Sequence, residues 1–285
     1  MFFDRLPGSG YVCAHRGARA LAPENTLAAA RRGLELGADF WEMDVQKTAD
    51  GRLVVVHDDT LERTTDVADR PEFAARRPWW TQEFTLAELR SLDAGSWFAR
   101  TDPYGAVASG EAGPEELARA DARRIPTMRE VLAFTRANGF PLNIEIKDQV
   151  RTPGDLSIVA DLLDLVHELE AEDLILVSSF NHDYLRELRR LNPAIPLAAL
   201  TEERHPDDLA DYLRSLGCVG YHPDEAVTDL ALVRRLASLG FRVTPYTVND
   251  MDRAVDLIDA GCFGITTDYT HTLRARLDGD GGEAA

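Results

Sequence analysis

The chain has 285 residues, 45% of them hydrophobic and 28% charged, with a formal net charge of −18. That length suits one α/β barrel, and the apolar fraction is ample for a sizeable core. The charge excludes a nucleic-acid binder, whose phosphates demand a basic footprint, and opposes docking on an anionic membrane surface; no apolar run approaches the length of a membrane span.

Strand-like apolar runs alternate with helical patterns along the chain, the signature of βα repeats around a parallel sheet. Eight barrel strands are expected near 11–15, 40–45, 141–147, 174–178, 196–200, 218–221, 242–247 and 263–267. Helices fit between them, for example over 26–36, 127–138, 153–170, 183–191, 206–216, 228–239 and 250–259. The start, Met1 to Arg5, has no basic segment ahead of an apolar stretch, so no secretory signal is expected. Cys13, Cys218 and Cys262 are isolated in apolar contexts and read as buried thiols of a reducing compartment, which suggests a cytoplasmic protein.

After the second strand, Asp50-Gly51 is a strong hairpin signal. With those two residues as the turn, Asp44 sits opposite His57. Residues 58–126 are too long for a plain barrel connection. They form an insertion, either a wall over the active-site mouth or a structural flap or dimer contact. The last stretch, 278–285, is acidic and glycine-rich and is expected to be disordered.

The chemistry concentrates in the first sixth of the chain. Glu42 and Asp44 are two apart on a strand, so both side chains face the same way. Near the end of a barrel strand that direction is the interior mouth, where active sites lie. Glu145 takes the equivalent place on the next barrel strand, with Asn143 and Lys147 on its face. Three packed carboxylates repel one another unless a cation sits among them, and an all-oxygen set favours Mg²⁺ or Ca²⁺ over zinc. A salt-bridge network with Lys147 and Arg16 is the bland alternative. Arg16 offers a planar fork to phosphoryl oxygens and Lys147 a point charge; Glu24 can orient the guanidinium. His15 and His57 supply acid/base groups near neutral pH.

His15-Arg16-Gly17 with Pro23-Glu24-Asn25-Thr26, Glu42-Met43-Asp44, His57-Asp58 and Asn143-Ile144-Glu145-Ile146-Lys147 resemble the glycerophosphodiester phosphodiesterases. Ser178-Ser179-Phe180, Tyr246-Thr247-Val248-Asn249 and Gly264 to Tyr269 follow in the family's order, so the likeness spans roughly 11–270. It implies a TIM (β/α)8 barrel with a small insertion between the second and third barrel strands. It also implies metal-dependent hydrolysis of deacylated phospholipid headgroups to sn-glycerol 3-phosphate and an alcohol. His15 and His57 take the acid/base roles, Glu42, Asp44 and Glu145 hold one divalent cation, and Arg16 and Lys147 hold phosphate.

Ser179, Phe180 and Tyr246 end barrel strands and can shape the glycerol pocket; the family commonly has tryptophan where Tyr246 stands. His222 follows a strand and is read as structural support, with pocket lining as the alternative. Pro23 to Thr26 shapes the first helix, with Asn25 or Thr26 as its cap. The expected partner is a small soluble glycerophosphodiester, with no stable membrane association; a homo-oligomer is compatible with the sequence. Two rivals remain. A lysophospholipase D requires an apolar groove beside the metal, from Trp79, Trp80, Trp97 and Phe98. A catalytically silent phosphate-binding barrel would have no need of both histidines and all three carboxylates.

Overall fold

The computed structural model describes residues 1–280. Its nine strands are β1 (Tyr11–Ala14), β2 (Phe40–Lys47), β3 (Leu53–Val55), β4 (Leu142–Ile146), β5 (Ile175–Ser179), β6 (Leu197–Thr201), β7 (Gly220–Pro223), β8 (Arg242–Val243) and β9 (Gly264–Thr267). Eight run parallel in the order β8-β7-β6-β5-β4-β2-β1-β9, and β3 pairs antiparallel with β2. The ring closes between β8 and β9 through backbone bonds from Phe263 N to Val243 O and from Thr266 N to Pro245 O. β8 is shorter than expected because Pro245 has no N–H to give a ladder.

Alternation along each strand builds the barrel. Trp41, Met43 and Val45 turn outward into the main apolar core beneath the helices, which leaves Glu42, Asp44 and Gln46 to the interior. The short helix Phe2–Arg5 puts Phe2 against Phe40, with Cys13, Leu176, Ala198 and Phe263 in the same buried cluster. Apolar side chains therefore fill the end where the strands begin, and polar ones gather at the end where they finish.

Two expectations are corrected. The hairpin pairs Val45 with Val55 and Lys47 with Leu53, so Asp44 faces Val56 instead of His57. The turn holds three residues, not two: Thr48 N donates to Arg52 O, and Gly51 takes a left-handed φ of 73°. That glycine adds the extra residue a bulged turn needs. At the far end, 278–280 belong to the helix Thr270–Asp280, whose Leu273 and Leu277 pack on the barrel core; the rest of the expected tail lies outside the described residues.

Two small cores anchor the insertion on the barrel. One gathers Val54, Leu61, Phe73, Trp79, Phe84 and Leu89, and the other Leu21, Trp97, Phe98, Ala106 and Leu117. Trp79, Trp97 and Phe98 are thus buried in packing and offer no groove beside the carboxylates. No helix among the described residues is long and apolar enough to cross a membrane. All three cysteines are free and buried.

Candidate active site

Strand register brings the acidic residues together. In the parallel β2–β4 pair, Asp44 lies level with Glu145, and Glu42 one layer lower lies level with Asn143. One oxygen from each of Glu42, Asp44 and Glu145 lies within 4.8 Å of the others, and all three residues are buried. Burial and the neighbouring carboxylates push Glu42 well above the usual range, and burial also raises Glu145. Asp44 is held low: although burial opposes ionisation, His57, Arg16 and Lys147 face it and Asn25 donates to it.

This set fits a hard divalent cation. Glu42 Oε1 and Asp44 Oδ1 are buried with no hydrogen-bond donor. Glu145 Oε1 meets only the Lys147 ammonium, as an ion pair at 2.7 Å without hydrogen-bond alignment. Unpaired buried oxygens are costly, and a cation among them removes that cost.

Two histidines flank the cluster, each held by a carboxylate. His15 follows β1, and its Nδ1 pairs with Asp268 Oδ1 at 2.7 Å, where β9 ends. Asp268 in turn accepts from Asn249 Nδ2 at 2.9 Å and lies 3.6 Å from Arg19. His57 pairs through Nδ1 with Asp58 Oδ1, also at 2.7 Å, and Arg63 clamps Asp58 with two bonds of 2.6 and 2.9 Å. Gln46 fixes this second arm by donating to the carbonyls of Val56, His57 and Asp58. In both arms the Nδ1 partner leaves Nε2 for other chemistry. Burial and Arg16 lower His15 to about 4, so its ring is neutral at pH 7.

Glu24 ties the arms together. Its carboxylate accepts from Arg16 at 2.7 Å, from Arg19 at 2.8 Å and from Arg63 at 2.9 and 2.7 Å. The three guanidinium groups hold it far below its usual range despite burial. Arg16 also approaches Asp44 at 3.5 Å, and its backbone N–H donates to Glu42. The loop that carries it is strained: Arg16 and Asn25 both have positive φ, 53° and 58°. Gly17 beside them is obligatory, because its φ is 80° and a Cβ there would lie 2.5 Å from the Ala29 backbone.

The expected site residues divide on this geometry. His15, His57, Glu42, Asp44, Glu145, Arg16 and Lys147 are brought together, and Glu24 pairs with Arg16 at 2.7 Å. Asn143 and Tyr246 line a small cavity beside Glu42 and Glu145. Phe180 packs edge-on to Tyr246, with Lys147 Nζ 5.8 Å from its ring centre. Ser179 is fully buried and donates to Ile146 O, so it braces β5 on β4 instead of lining the pocket. Thr26 caps the helix Leu27–Glu35 by accepting from Ala29 N, while Asn25 donates to Asp44 at 2.8 Å and braces it. Asp268, Asn249, Arg19, Arg63 and Gln46 were assigned no role from sequence. Asp58 had a signal, its adjacency to His57; Asn249 and Asp268 stood in segments of the family resemblance.

Residues 15–272 match the glycerophosphoryl diester phosphodiesterase family. The chain belongs to that family. A glycerophosphodiester phosphodiesterase of Caldanaerobacter subterraneus subsp. tengcongensis is 35% identical over 92% of this chain and 95% of its own length. Among solved structures, an Oleispira antarctica phosphodiesterase in complex with the product sn-glycerol-3-phosphate is 29% identical, with a TM-score of 0.78 over 97% of this chain and 98% of its own. A structure from Silicibacter pomeroyi DSS-3 has a TM-score of 0.81 at 26% identity, covering 98% of this chain and 97% of that one. Family membership makes the buried acidic cluster of this glycerophosphoryl diester phosphodiesterase a metal-type site; which ion it takes is a separate matter.

Proposed function

We propose that the chain hydrolyses glycerophosphodiesters, deacylated phospholipid headgroups, to sn-glycerol 3-phosphate and an alcohol, with one bound Mg²⁺ or Ca²⁺. The observation that carries the reading is the juxtaposition of three buried carboxylates, each with an oxygen that accepts no hydrogen bond, and two carboxylate-backed histidines at one barrel mouth. Glu42, Asp44 and Glu145 would hold the cation, which when bound supplies Lewis acidity and a lowered pKa to an oxygen near the phosphorus. Arg16 and Lys147 hold the phosphodiester. Their two positive charges, with those of the cation, offset three carboxylates and the incoming phosphate.

His15 and His57 move the protons. One imidazole takes the proton of the attacking hydroxyl, and the other protonates the oxygen of the departing alcohol as its bond to phosphorus breaks. The favoured attacking group is the glycerol 2-hydroxyl, already close to phosphorus in the same molecule, so little entropy is lost in gathering it. A cyclic phosphate bridging the glycerol 2- and 3-oxygens (sn numbering) forms and water then opens it, with the histidine roles reversed. An analogue with hydrogen in place of the 2-hydroxyl tests this step: it should bind and resist cleavage, and near-normal cleavage would transfer the attack to water.

A lysophospholipase D has no support from the aromatic residues of the insertion, three of which are buried in its cores. A silent phosphate-binding barrel leaves two oriented histidines without a task. The reading places the enzyme in the cytoplasm, as a monomer or homo-oligomer, with a small soluble substrate. The test is turnover of a glycerophosphodiester panel before and after chelation. Activity should vanish on chelation and return with Mg²⁺, Ca²⁺ or Mn²⁺, with zinc a poor replacement; full activity in metal-free protein would sink the proposal.

A further inference from the structure

Past the end of β6, beside the helices His182–Leu191 and Leu209–Leu216, lies a second cavity of about 360 Å³, within the size range of small-ligand pockets. None of the three carboxylates or of the two flanking histidines lines it. Two residues join it to the catalytic centre. Leu200 borders both this cavity and the small one where His222 and Tyr246 stand. Phe180 lines the larger cavity, and its ring centre lies 5.8 Å from Lys147 Nζ.

The polar groups of this wall are one-sided. His182 Nε2 lies 3.0 Å from Leu200 O, which can only accept, so that nitrogen carries the proton and Nδ1 accepts from the Tyr212 hydroxyl at 2.7 Å. Burial lowers the His182 pKa from its ordinary value, which keeps the ring neutral. His205 repeats the arrangement: Nε2 donates to Val227 O at 2.6 Å, and Nδ1 accepts from Tyr221 at 2.5 Å. The Thr201 hydroxyl turns to Tyr221, and Tyr246 at the edge donates to Thr201 O at 3.0 Å. Every side-chain donor of the lining is thus engaged, apart from the exposed Arg204, whose charge Asp207 offsets at 3.3 Å. Acceptors are left over. The Tyr212 oxygen keeps its lone pairs, and the exposed carboxylates of Glu202 and Glu203 have no hydrogen-bond or ion-pair partner among the described residues. Burial and the charge of Glu202 raise the Tyr246 phenol, so that carboxylate is felt on the active-site side.

An aromatic wall with spare acceptors suits an alkylammonium ion: ring faces attract the cation, and the carboxylates offset its charge. A phosphate or carboxylate would meet two unpaired like charges, and an uncharged polyol would leave both carboxylates uncompensated. Resting on the phosphodiesterase reading, we infer that this cavity seats the leaving alcohol of the substrate and selects a cationic one, choline or ethanolamine, over a neutral polyol. Such an ester carries its nitrogen two carbons from the leaving oxygen. With phosphate held at Lys147, Phe180 is the surface that nitrogen crosses on its way to Tyr212 and Glu202. The paired histidines act indirectly, by taking up tyrosine protons so that oxygen lone pairs face the cation.

The test compares glycerophosphocholine with its uncharged isostere, the 3,3-dimethylbutyl ester in which carbon replaces nitrogen, and with glycerophosphoinositol, all with Mg²⁺ or Ca²⁺ present. The glycerol and phosphate are the same in all three. In the wild-type enzyme kcat/KM should be about tenfold lower for the isostere, the usual contribution of a partly exposed cation contact, with the difference carried by KM. Glycerophosphoinositol should fall at least as far. Replacing both exposed carboxylates, Glu202→Gln with Glu203→Gln, should bring the choline-to-isostere ratio close to unity, chiefly by weakening the choline ester. A wild type that treats ester and isostere alike, a double variant that keeps the ratio, or inositol turnover equal to that of choline would overturn the inference. If no ester turns over, the hydrolase reading falls, and calorimetry with the choline ester and its isostere decides the cavity. Tighter binding of the choline ester keeps it; equal or absent binding removes it.

Discussion

His15 stands at the barrel mouth just past β1 with 11% of its side chain exposed, and strands hold it on both sides; His57 stands on the hairpin that leads into the insertion, with 31% exposed. Both rings present Nδ1 to an aspartate, and both aspartates lie near an arginine that reaches Glu24. The partner of His15 is 253 residues away, just past the last strand, whereas the partner of His57 is the next residue. The same hydrogen-bonded unit is therefore built once from barrel topology and once from local sequence. The difference teaches where rigidity comes from: the first arm is fixed by the closed sheet, the second by Gln46 and Arg63, whose bonds pin an otherwise mobile type of connection.

The comparison breaks first at the imidazoles. His15→Asn and His57→Asn should each lower kcat by about two to four orders of magnitude, the usual contribution of positioned acid/base groups; normal turnover in either would remove that arm from the chemistry. Next comes the hub. Glu24→Gln leaves the buried Arg16 guanidinium poorly compensated and should destabilise the fold by about 3–5 kcal/mol, read by thermal or denaturant unfolding. An unchanged midpoint would mean the arginines do not depend on Glu24.

The aspartates sharpen the contrast. Asp268→Asn should lower kcat by about ten- to a hundredfold, because the His15–Asp268 pair is only about a tenth exposed and has little solvent to replace the charge. Asp58→Asn should cost less, about tenfold or below, because the second arm is more open to water. Equal effects would contradict the asymmetry. The smallest effect concerns pH. Unfolded His222 takes up a proton near 6.5, and the folded residue does so only near 3. The folded state therefore binds fewer protons in that window, and its contribution to stability is lost as pH falls, by up to about 1.4 kcal/mol per pH unit. Unfolding curves between pH 6 and 4 should be that much less pH-dependent in His222→Leu.

The parts legible in the sequence were those written in local pattern. The spacing of Glu42 and Asp44 announced a shared face, and Asn143-Ile144-Glu145-Ile146-Lys147 announced its neighbour, because period-two alternation survives any packing. The hairpin was legible in kind and missed in register, since Asp50-Gly51 does not reveal whether Ala49 also belongs to the turn. Asp268 and Asn249 were illegible as positioning groups, because only barrel closure brings the last strand beside the first. The aromatic residues of the insertion misled for a related reason: hydrophobicity marks Trp97 and Phe98 for burial without saying against what.

The most direct test of the central claim is which phosphorus–oxygen bond breaks. Phosphorus NMR should follow glycerophosphocholine incubated with the purified enzyme and Mg²⁺ or Ca²⁺. The account predicts growth of the sn-glycerol 3-phosphate resonance in step with released choline, and none after chelation. Appearance of phosphocholine, or a spectrum indifferent to the metal, would contradict it.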